Sequence, residues 1–326
     1  MKTLLFCHAS KKIGMGHFIR QLQVAEEMNS RGYKVTFAVS DYNPAVTLLE
    51  EKKIFYIKSK KMPFEVKPEY EADIVILDIS NTDANFIKSL RKNGNKVVSF
   101  DDLGTGRDHV NILVDSNTDP SDYSKVRSLF GLKYVIVNNR YSAFRSLEKV
   151  VPRKIERVAI SMGGTDPKSI GPEIAKFLLK SGLNFKIDLI LGAGFNDKDI
   201  KPESMNFIRN NGNKCNIHKN LPDLAEILFK SDIVICAGGI TLYEACAVGT
   251  PAVVISQVEH QQQKASRVEN RGAAINMGMW RDAVLAKLVP TINFLDSSKR
   301  KQMSIAGKRM VDGKGLQRVV NEIEKL

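Results

Sequence analysis

Short apolar runs rich in β-branched residues alternate with amphipathic segments along most of this 326-residue chain. The runs KTLLFC, YKVTFAV and DIVILD are predicted to be strands, and the first two flank a predicted helix, HFIRQLQVAEEMNSRG, that ends near Gly32. Runs this apolar are typical of strands that are buried on both faces, as in a parallel sheet covered by helices. The chain is therefore predicted to be an α/β protein with doubly wound parallel sheets.

The same alternation starts again after the segment SLEKVVPRK. ERVAISMGG, FKIDLILG, DIVICAGG and PAVVIS are predicted to be strands with helices between them, and a basic helical tail runs to Leu326. The region of Pro152 is the best candidate for a linker. We therefore expect two Rossmann-like domains, residues 1–150 and 151–326, with the last helix a candidate to pack back on the first domain.

Composition narrows the classes of protein that this chain can belong to. Hydrophobic residues make up 43% and charged residues 26%, and no apolar run approaches the roughly 18 residues of a membrane span. The four cysteines lack CxxC spacing, and the first apolar run is too short for a signal peptide, so we expect a reduced, cytoplasmic protein without a cysteine metal site.

The formal net charge of +13 favours anionic partners. The lysines are dispersed rather than gathered beside aromatic residues, so nucleic-acid binding is not expected. Peripheral association with an anionic membrane stays open, and the sequence gives no indication of the oligomeric state.

Three glycine turns follow predicted strands: Gly14-Met15-Gly16, Gly163-Gly164 and Gly238-Gly239. In open parallel sheets, ligands bind outside the carboxyl ends of the strands. If two such domains face each other across a cleft, all three turns are expected to line it.

The first turn, IGMGHFIR, lacks the third glycine of a dinucleotide fingerprint, because Ile19 stands at that position. It is either a purely structural turn or a loop that approaches a ligand. In the second case His17 lies at a helix N-terminus, which favours the neutral, base-competent imidazole. Arg20 would lie on the same face and would suit chemistry with an anionic leaving group.

The turn SMGGTDP also has two interpretations. Asp166 and Pro167 can simply cap and open a helix, with Pro167 at the first helical position. Alternatively, the backbone amides of Gly163 and Gly164 hold a diphosphate at the helix N-terminus.

The turn GGITLYE can likewise be structural or functional. Thr241 and Glu244 fit a capping box, in which Glu244 reaches back to the Thr241 backbone N–H. Alternatively, Gly238, Gly239 and Thr241 contact phosphate while Glu244 accepts hydrogen bonds from ribose hydroxyls.

Paired carboxylates, Asp101 and Asp102, follow the predicted strand KVVSF. They can do acid–base work or bind sugar hydroxyls, or they can belong to a solvated turn.

Six motifs, in order, carry a resemblance to a known family: IGMGHFIR, VVSFDDL, LFGLKYVIV, ISMGGTDP, DIVICAGGITLYEACAVGTPAVVI and EHQ. They resemble the nucleotide-sugar hydrolases of pseudaminic acid biosynthesis (the PseG family) and, more distantly, the MurG-like glycosyltransferases. The resemblance covers roughly residues 4 to 275.

The resemblance implies a GT-B fold, a UDP-sugar as substrate, no cofactor and no metal requirement. It implies that His17 activates water for attack. From their own positions in the sequence, Gly14, Gly16, Arg20, Asp101 and Asp102 are assigned to the sugar side. The family's UDP-binding roles are carried to Gly163, Gly164, Gly239, Thr241, Glu244 and Gln261. Gly238 is assigned to the same site from its position in the GGITLYE turn.

This chain also departs from the family pattern. Where the family reads Arg-x-Asp-x-Ser in its opening strand, this chain has residues 6–10, FCHAS, and where the family has Asp-x-Tyr it has Asp78-Ile79-Ser80. The Asn-Gln pair near the nucleotide becomes His260-Gln261. Most of these departures lie in the first domain, so the UDP half of the site is better defined than the sugar.

Three functions remain open from the sequence. The first is a hydrolase that cleaves the anomeric C1–O bond of a UDP-linked amino sugar, in nonulosonic acid or surface polysaccharide synthesis. The second is a GT-B glycosyltransferase with a glycan or lipid-linked acceptor, and the third is a nucleotide-sugar-binding protein without turnover.

Overall fold

The computed structural model describes residues 1–59, 71–118, 125–196, 200–219, 221 and 223–326. The chain divides into two compact units. The first unit comprises Met1–Val137 together with Lys314–Leu326, and the second comprises Asn138–Gly313.

The described part of the first unit is built on a seven-stranded parallel sheet with the order β3-β2-β1-β4-β5-β6-β7. Its strands are β1 (Lys2–Cys7), β2 (Lys34–Ser40), β3 (Phe55–Ser59), β4 (Ile74–Asp78), β5 (Lys96–Phe100), β6 (Ile112–Asp115) and β7 (Arg127–Phe130). Its first helices are α1 (Gly16–Ser30), α2 (Asn43–Glu51) and α3 (Ala84–Lys92), with 3-10 turns at Thr105–His109 and Leu132–Tyr134.

The apolar strands explain why this sheet is covered on both faces. Every residue of β4 is buried, and alternate residues of β1 enter different apolar clusters, with Leu5 in one and Leu4 in the other. Successive side chains of a strand point to opposite faces, so an apolar residue at every position requires cover on both sides. The strand order changes direction between β1 and β4, which is where ligands bind in such sheets.

The described part of the second unit is built on a six-stranded parallel sheet with the order β10-β9-β8-β11-β12-β13. Its strands are β8 (Arg157–Ser161), β9 (Lys186–Leu191), β10 (Cys215–Lys219), β11 (Ile233–Cys236), β12 (Ala252–Ser256) and β13 (Ala274–Met279). Its helices are α4 (Asn139–Arg145), α5 (Ile170–Lys180), α6 (Pro202–Asn210), α7 (Ala225–Lys230), α8 (Ile240–Val248), α9 (Glu259–Glu269), α10 (Asp282–Phe294) and α11 (Ser297–Met310).

The boundary between the units differs from the predicted one. It lies between Val137 and Asn138 rather than at residue 150, because α4 packs on α7 and α8 of the second unit. The predicted linker at Pro152 therefore lies inside the second unit, where its carbonyl accepts a hydrogen bond from the buried Arg300 side chain.

The last helix, α12 (Gly315–Ile323), belongs to the first unit and packs on α1. Its apolar face, which includes Leu316 and Val320, is part of the same core cluster as Phe18. Gly315 is required here because a Cβ atom would collide with the carbonyl oxygen of Val135.

No helix among the described residues is both long enough and apolar enough to cross a membrane.

Candidate active site

The loop between β1 and α1 places His17 in the first turn of a helix. Gly14 adopts a φ of +87°, which favours glycine, and its N–H donates to the carbonyl of Ser10 at 2.8 Å. The helix begins at Gly16, where a Cβ atom would meet nothing within 4 Å. The turn therefore needs Gly14 for its backbone conformation, whereas Gly16 leaves open space beside His17.

His17 contacts a buried carboxylate from a distant part of the chain. Its Nδ1 lies 2.8 Å from Oδ1 of Asp78, the last residue of β4. The Asp78 side chain is 1% exposed and that of His17 is 32% exposed. Because β1 and β4 are neighbours at the point where the strand order reverses, the sheet itself brings the two side chains together.

The partners of the imidazole indicate its tautomer. Nδ1 of His17 also lies 3.1 Å from Nη2 of Arg20, but a guanidinium only donates and an ionised carboxylate only accepts. A hydrogen on Nδ1 satisfies the shorter contact, which is the one with Asp78. Arg20 lies close to the imidazole because the imidazole and the guanidinium both bind the Asp78 carboxylate. This tautomer leaves the lone pair on Nε2, the atom that can act as a base.

Arg20 is held by the protein on several sides. Its Nη2 donates to both oxygens of Asp78, at 2.8 and 2.7 Å, and its Nη1 donates to Asp101 at 2.6 Å. The guanidinium lies 5.4 Å from the centroid of the Phe100 ring. Burial alone would lower the pKa of Arg20, but the two carboxylates outweigh it and raise this pKa above its ordinary value.

Asp78 is the centre of this cluster. Gln21 adds a further hydrogen bond from Nε2 to Asp78 Oδ2, at 2.8 Å. Burial would raise the pKa of Asp78, but Arg20 and His17 outweigh it and hold this pKa well below its usual range. Asp78 is therefore a fixed negative charge under the imidazole.

The two predicted carboxylates after β5 have different surroundings. Asp101, with a φ of +49°, turns towards Arg20 and joins the His17 cluster. Asp102 is 2% exposed and accepts hydrogen bonds from Thr82, Ser99 and the N–H of Gly104. Asp102 therefore holds the loops after β4 and β5, and its role in binding substrate stays a prediction.

In the second unit, Gly163 and Gly164 form the loop after β8. Gly163 has a φ of +95°, and a Cβ at Gly163 would meet nothing within 4 Å. The helix that follows begins at Ile170, so the prediction of Pro167 at the first helical position is wrong. The N-cap residue is Ser169 rather than the predicted Asp166, but the two oxygens of Asp166 accept from the first N–H groups of the helix, those of Ile170 and Gly171, at 3.0 and 2.8 Å.

Gly238 and Gly239 precede α8 at the end of β11. Gly238 has a φ of +83°, and a Cβ there would lie 2.9 Å from the carbonyl oxygen of Gln261, whereas a Cβ at Gly239 would meet nothing. Gly239 is the N-cap residue, and among the described residues no side chain caps this helix. The capping-box interpretation of Thr241 and Glu244 is therefore wrong: Thr241 lies inside the helix.

Glu244 lies in a buried polar cluster. The residue is 6% exposed, and the hydroxyls of Tyr141 and Thr241 favour the ionised form of its carboxyl group. Burial raises the pKa of Glu244 to about 7, Asp223 adds to the rise, and the two hydroxyls oppose it.

Gln261 lies in the first turn of α9. Its Oε1 accepts from the N–H of Gln257 at 2.8 Å, and the Gln257 side chain donates to the carbonyl of Met162 at 2.7 Å. These bonds tie the start of α9 to the loop after β8, next to Gly163. Direct contact of Gln261 with a nucleotide stays a prediction.

Sequence reasoning missed three residues of these clusters: Asp78, Gln21 and Tyr141. Asp78 carried a recognisable signal, since it is an acidic residue at the end of an otherwise apolar strand. Gln21 adjoins Arg20 on a helix that was correctly predicted. Nothing in the sequence indicates that this polar side chain is completely buried. Tyr141 lies in a segment that was assigned to the first domain.

The topology of each sheet, as seen in the described residues, defines the fold class. Two Rossmann-like units of seven and six parallel strands make a GT-B fold, which confirms the predicted fold class. Residues 161–319 match the model of the glycosyltransferase family 28 C-terminal domain. The crystal structure of MurG from Acinetobacter baumannii has a TM-score of 0.68 at 15% identity, covering 100% of both chains. The chain therefore has the GT-B fold, the fold of these glycosyltransferases.

Relatives narrow this class further. The chain is 25% identical to the spore coat polysaccharide biosynthesis protein SpsG of Bacillus subtilis, over 100% of this chain and 98% of that protein. It is also 25% identical to the UDP-2,4-diacetamido-2,4,6-trideoxy-beta-L-altropyranose hydrolase of Campylobacter jejuni, over 83% and 97% of the two chains. The resemblance to the PseG family drawn from the motifs is thereby confirmed.

An uncharacterized protein of Methanocaldococcus jannaschii is 26% identical over 81% of this chain. The chain spans 57% of the length of that archaeal protein.

Proposed function

We propose that this protein hydrolyses a UDP-linked amino-deoxy sugar to UDP and the free sugar. The observation that carries this proposal is the fixed pair of His17 and Asp78, whose atoms Nδ1 and Oδ1 are 2.8 Å apart. An imidazole oriented by a buried carboxylate, with Nε2 left as the acceptor, suits the task of a general base.

In the proposed reaction, Nε2 of His17 takes a proton from water as the water oxygen attacks C1 of the sugar. The bond from C1 to the diphosphate oxygen breaks, and UDP leaves with the electron pair. The imidazolium formed at His17 is stabilised by the negative charge of Asp78. Arg20 and Gln21 hold that carboxylate in place, and neither is assigned a direct contact with the reacting atoms.

The second unit would hold the UDP moiety. The uncapped N-terminus of α8 presents backbone N–H groups and the positive end of a helix dipole, which favour a diphosphate. The N-terminus of α5 is less suited, because Asp166 already accepts its first N–H groups. We therefore assign the diphosphate to Gly239 and the α8 turn, with Gly163 and Gly164 beside it and Glu244 at the ribose.

A glycosyltransferase is the second candidate, and the match of residues 161–319 to the family 28 domain favours it. The chemistry is the same except that His17 would deprotonate an acceptor hydroxyl instead of water. In either case the name of the Bacillus subtilis relative favours a place in polysaccharide biosynthesis. A place in nonulosonic acid synthesis stays a prediction. A cytoplasmic location stays a prediction.

The test is the release of UDP from a panel of UDP-sugars, measured with and without glycan or lipid-linked acceptors. Release without an acceptor supports the hydrolase, and release that depends on an acceptor supports the transferase. In 18O-labelled water, cleavage at C1 leaves the released UDP unlabelled. Label in the UDP would show cleavage at phosphorus and would overturn the proposed bond.

A further inference from the structure

A second histidine, His8, directly follows β1 at the carboxyl end of the first sheet. β1 and β2 are paired in register as far as Cys7 and Val39. The next residues, His8 and Ser40, are therefore neighbours, and Nδ1 of His8 lies 3.4 Å from the hydroxyl oxygen of Ser40. The proposed reaction leaves this half-buried imidazole without a role.

The turn between β1 and α1 is closed by backbone pairing. Ser10 and Gly14 form an antiparallel bridge, and the N–H of Gly14 donates to the carbonyl of Ser10 at 2.8 Å. Ala9 and Met15, the residues just outside this bridge, are both buried in the same core cluster. In antiparallel pairing, the two chains on either side of a bridge run past each other, so the flanks of this turn stay together.

The two flanks of the turn carry the two imidazoles. His8 stands directly before Ala9 on one flank, and His17 directly follows Gly16 on the other. A Cβ atom at Gly16 would meet nothing within 4 Å, so there is open space at this point of the turn. Burial lowers the pKa of His8, and the nearby His17 lowers it further, so His8 is mostly neutral at pH 7.

We propose that His8 is a specificity-determining residue, which binds a hydroxyl or amide group of the sugar through its Nε2 atom. This inference rests on the proposed function, which puts the sugar beside His17. It assigns a role to the segment FCHAS, in which this chain departs from the family pattern.

The surroundings of the His8 ring leave one nitrogen for a ligand. Nδ1 faces the Ser40 hydroxyl, which is itself held by the N–H of Ala9 at 3.0 Å. Within the described part of the chain, no group is hydrogen-bonded to Nε2 of His8. This nitrogen donates or accepts according to the tautomer, and both hydroxyl and amide groups can do either. Both tautomers of His8 can therefore bind the sugar.

The closing experiment measures the binding of UDP and of UDP-N-acetylglucosamine by calorimetry, in a His17→Gln background that suppresses turnover. This nucleotide-sugar carries both hydroxyl and acetamido groups. We expect the His17→Gln protein to bind it more tightly than UDP. Addition of His8→Asn should lower the affinity for UDP-N-acetylglucosamine about tenfold and leave that for UDP almost unchanged, because UDP is assigned to the second unit.

Two further variants separate a ligand contact from packing. The amide of asparagine stands where Nδ1 of histidine does, whereas the amide of glutamine reaches as far as Nε2. His8→Gln should therefore keep the affinity for UDP-N-acetylglucosamine within about threefold. His109→Asn alters a histidine of the 3-10 turn after β5 and should leave the affinities for both ligands unchanged. Thermal unfolding of each variant shows whether the fold is kept.

The inference is overturned if His8→Asn binds UDP-N-acetylglucosamine normally, if it loses affinity for both ligands equally, or if His8→Gln loses as much as His8→Asn. It is also overturned if the His17→Gln protein binds the nucleotide-sugar no more tightly than UDP. Binding is measured without turnover, so a protein that shows the expected affinities but hydrolyses no UDP-sugar contradicts the proposed reaction alone. A wild type that binds neither ligand contradicts both proposals.

Discussion

Nδ1 of His17 lies 2.8 Å from Oδ1 of Asp78. The Asp78 carboxylate is buried and also accepts hydrogen bonds from Arg20 and Gln21. One residue follows β1 and the other ends β4, the two strands between which the order of the sheet reverses. The imidazole is thus oriented by residues of the sheet and of α1.

Substitution of Asp78 by asparagine should reduce kcat by about 10²–10⁴. An asparagine amide can donate to Nδ1, which stabilises the tautomer with hydrogen on Nε2 and removes the base. Initial rates of UDP release measure the effect. Asp41→Asn, an exposed carboxylate after the neighbouring strand β2, is the control and should keep its rate. An unimpaired Asp78→Asn enzyme would show that the carboxylate does not orient the base.

Substitution of Arg20 by methionine should lower the free energy of unfolding by about 3–5 kcal/mol, because it leaves the buried Asp78 without its main counter-charge. kcat should fall with it, whereas KM for the UDP-sugar should change little, since the Arg20 donors are directed to Asp78 and Asp101. Urea unfolding and steady-state kinetics measure these quantities.

Arg31→Met is the matched control for this prediction. Arg31 follows the same helix and pairs with Glu27 and Glu324, but it is more exposed, and its loss should cost less than about 1 kcal/mol. If Arg20→Met raised KM and left stability unchanged, Arg20 would instead bind the substrate, as the sequence predicted.

Asp166 should make the second unit less stable as the pH rises. Burial raises the pKa of Asp166 to about 6, against the N–H groups of Gly171 and Ile170 that lower it. The folded protein therefore binds this proton more tightly than the unfolded chain, so the stabilisation is present below about pH 4 and is lost as the pH rises through about 6.

The matching measurement is the free energy of unfolding at about pH 4 and pH 7.5 in the wild type and in Asp166→Asn. Asparagine is neutral at both values and still offers an oxygen to the α5 amides. The difference in the free energy of unfolding between the wild type and Asp166→Asn should change by about 2 kcal/mol between these two pH values. A pH-independent difference would place the pKa of Asp166 near its ordinary value.

Gly239→Ala should weaken UDP binding by about tenfold or more without loss of stability. A methyl group at Gly239 meets no protein atom within 4 Å, so its cost would come from the diphosphate that we place there. Gly238→Ala is the contrasting variant: with a φ of +83° and the Gln261 carbonyl at 2.9 Å, it should be destabilised even without ligand. Unchanged UDP affinity in Gly239→Ala would argue against the α8 turn as the diphosphate site.

The strands that could be predicted from the sequence are those with runs of consecutive apolar residues. DIVILD and PAVVIS each contain four consecutive apolar residues, and both were correctly predicted as strands of a parallel sheet. Four strands were missed, β3, β7, β10 and β13, and all four lie at sheet edges. Polar or small residues weaken the pattern further, as in CNIHK and AINMGM. Edge strands need less apolar surface, so their pattern is weak.

The site was predictable only in part, for a related reason. The position of His17 after a glycine turn indicated a catalytic role, but Asp78, which orients it, lies 61 residues later in the chain. Arg20 was expected to face an anionic substrate, and it faces two carboxylates of its own unit instead. Local spacing indicates which residues carry chemistry, whereas their partners depend on which strands become neighbours.

The role of His17 as the base that activates water can be tested by the rate of UDP release without any acceptor. Using the UDP-sugar on which the wild type is most active, the rate should fall by about 10²-fold or more in His17→Gln. It should be unchanged in His109→Gln, which alters a histidine of the 3-10 turn after β5. A His17→Gln protein that releases UDP at the wild-type rate would contradict the account.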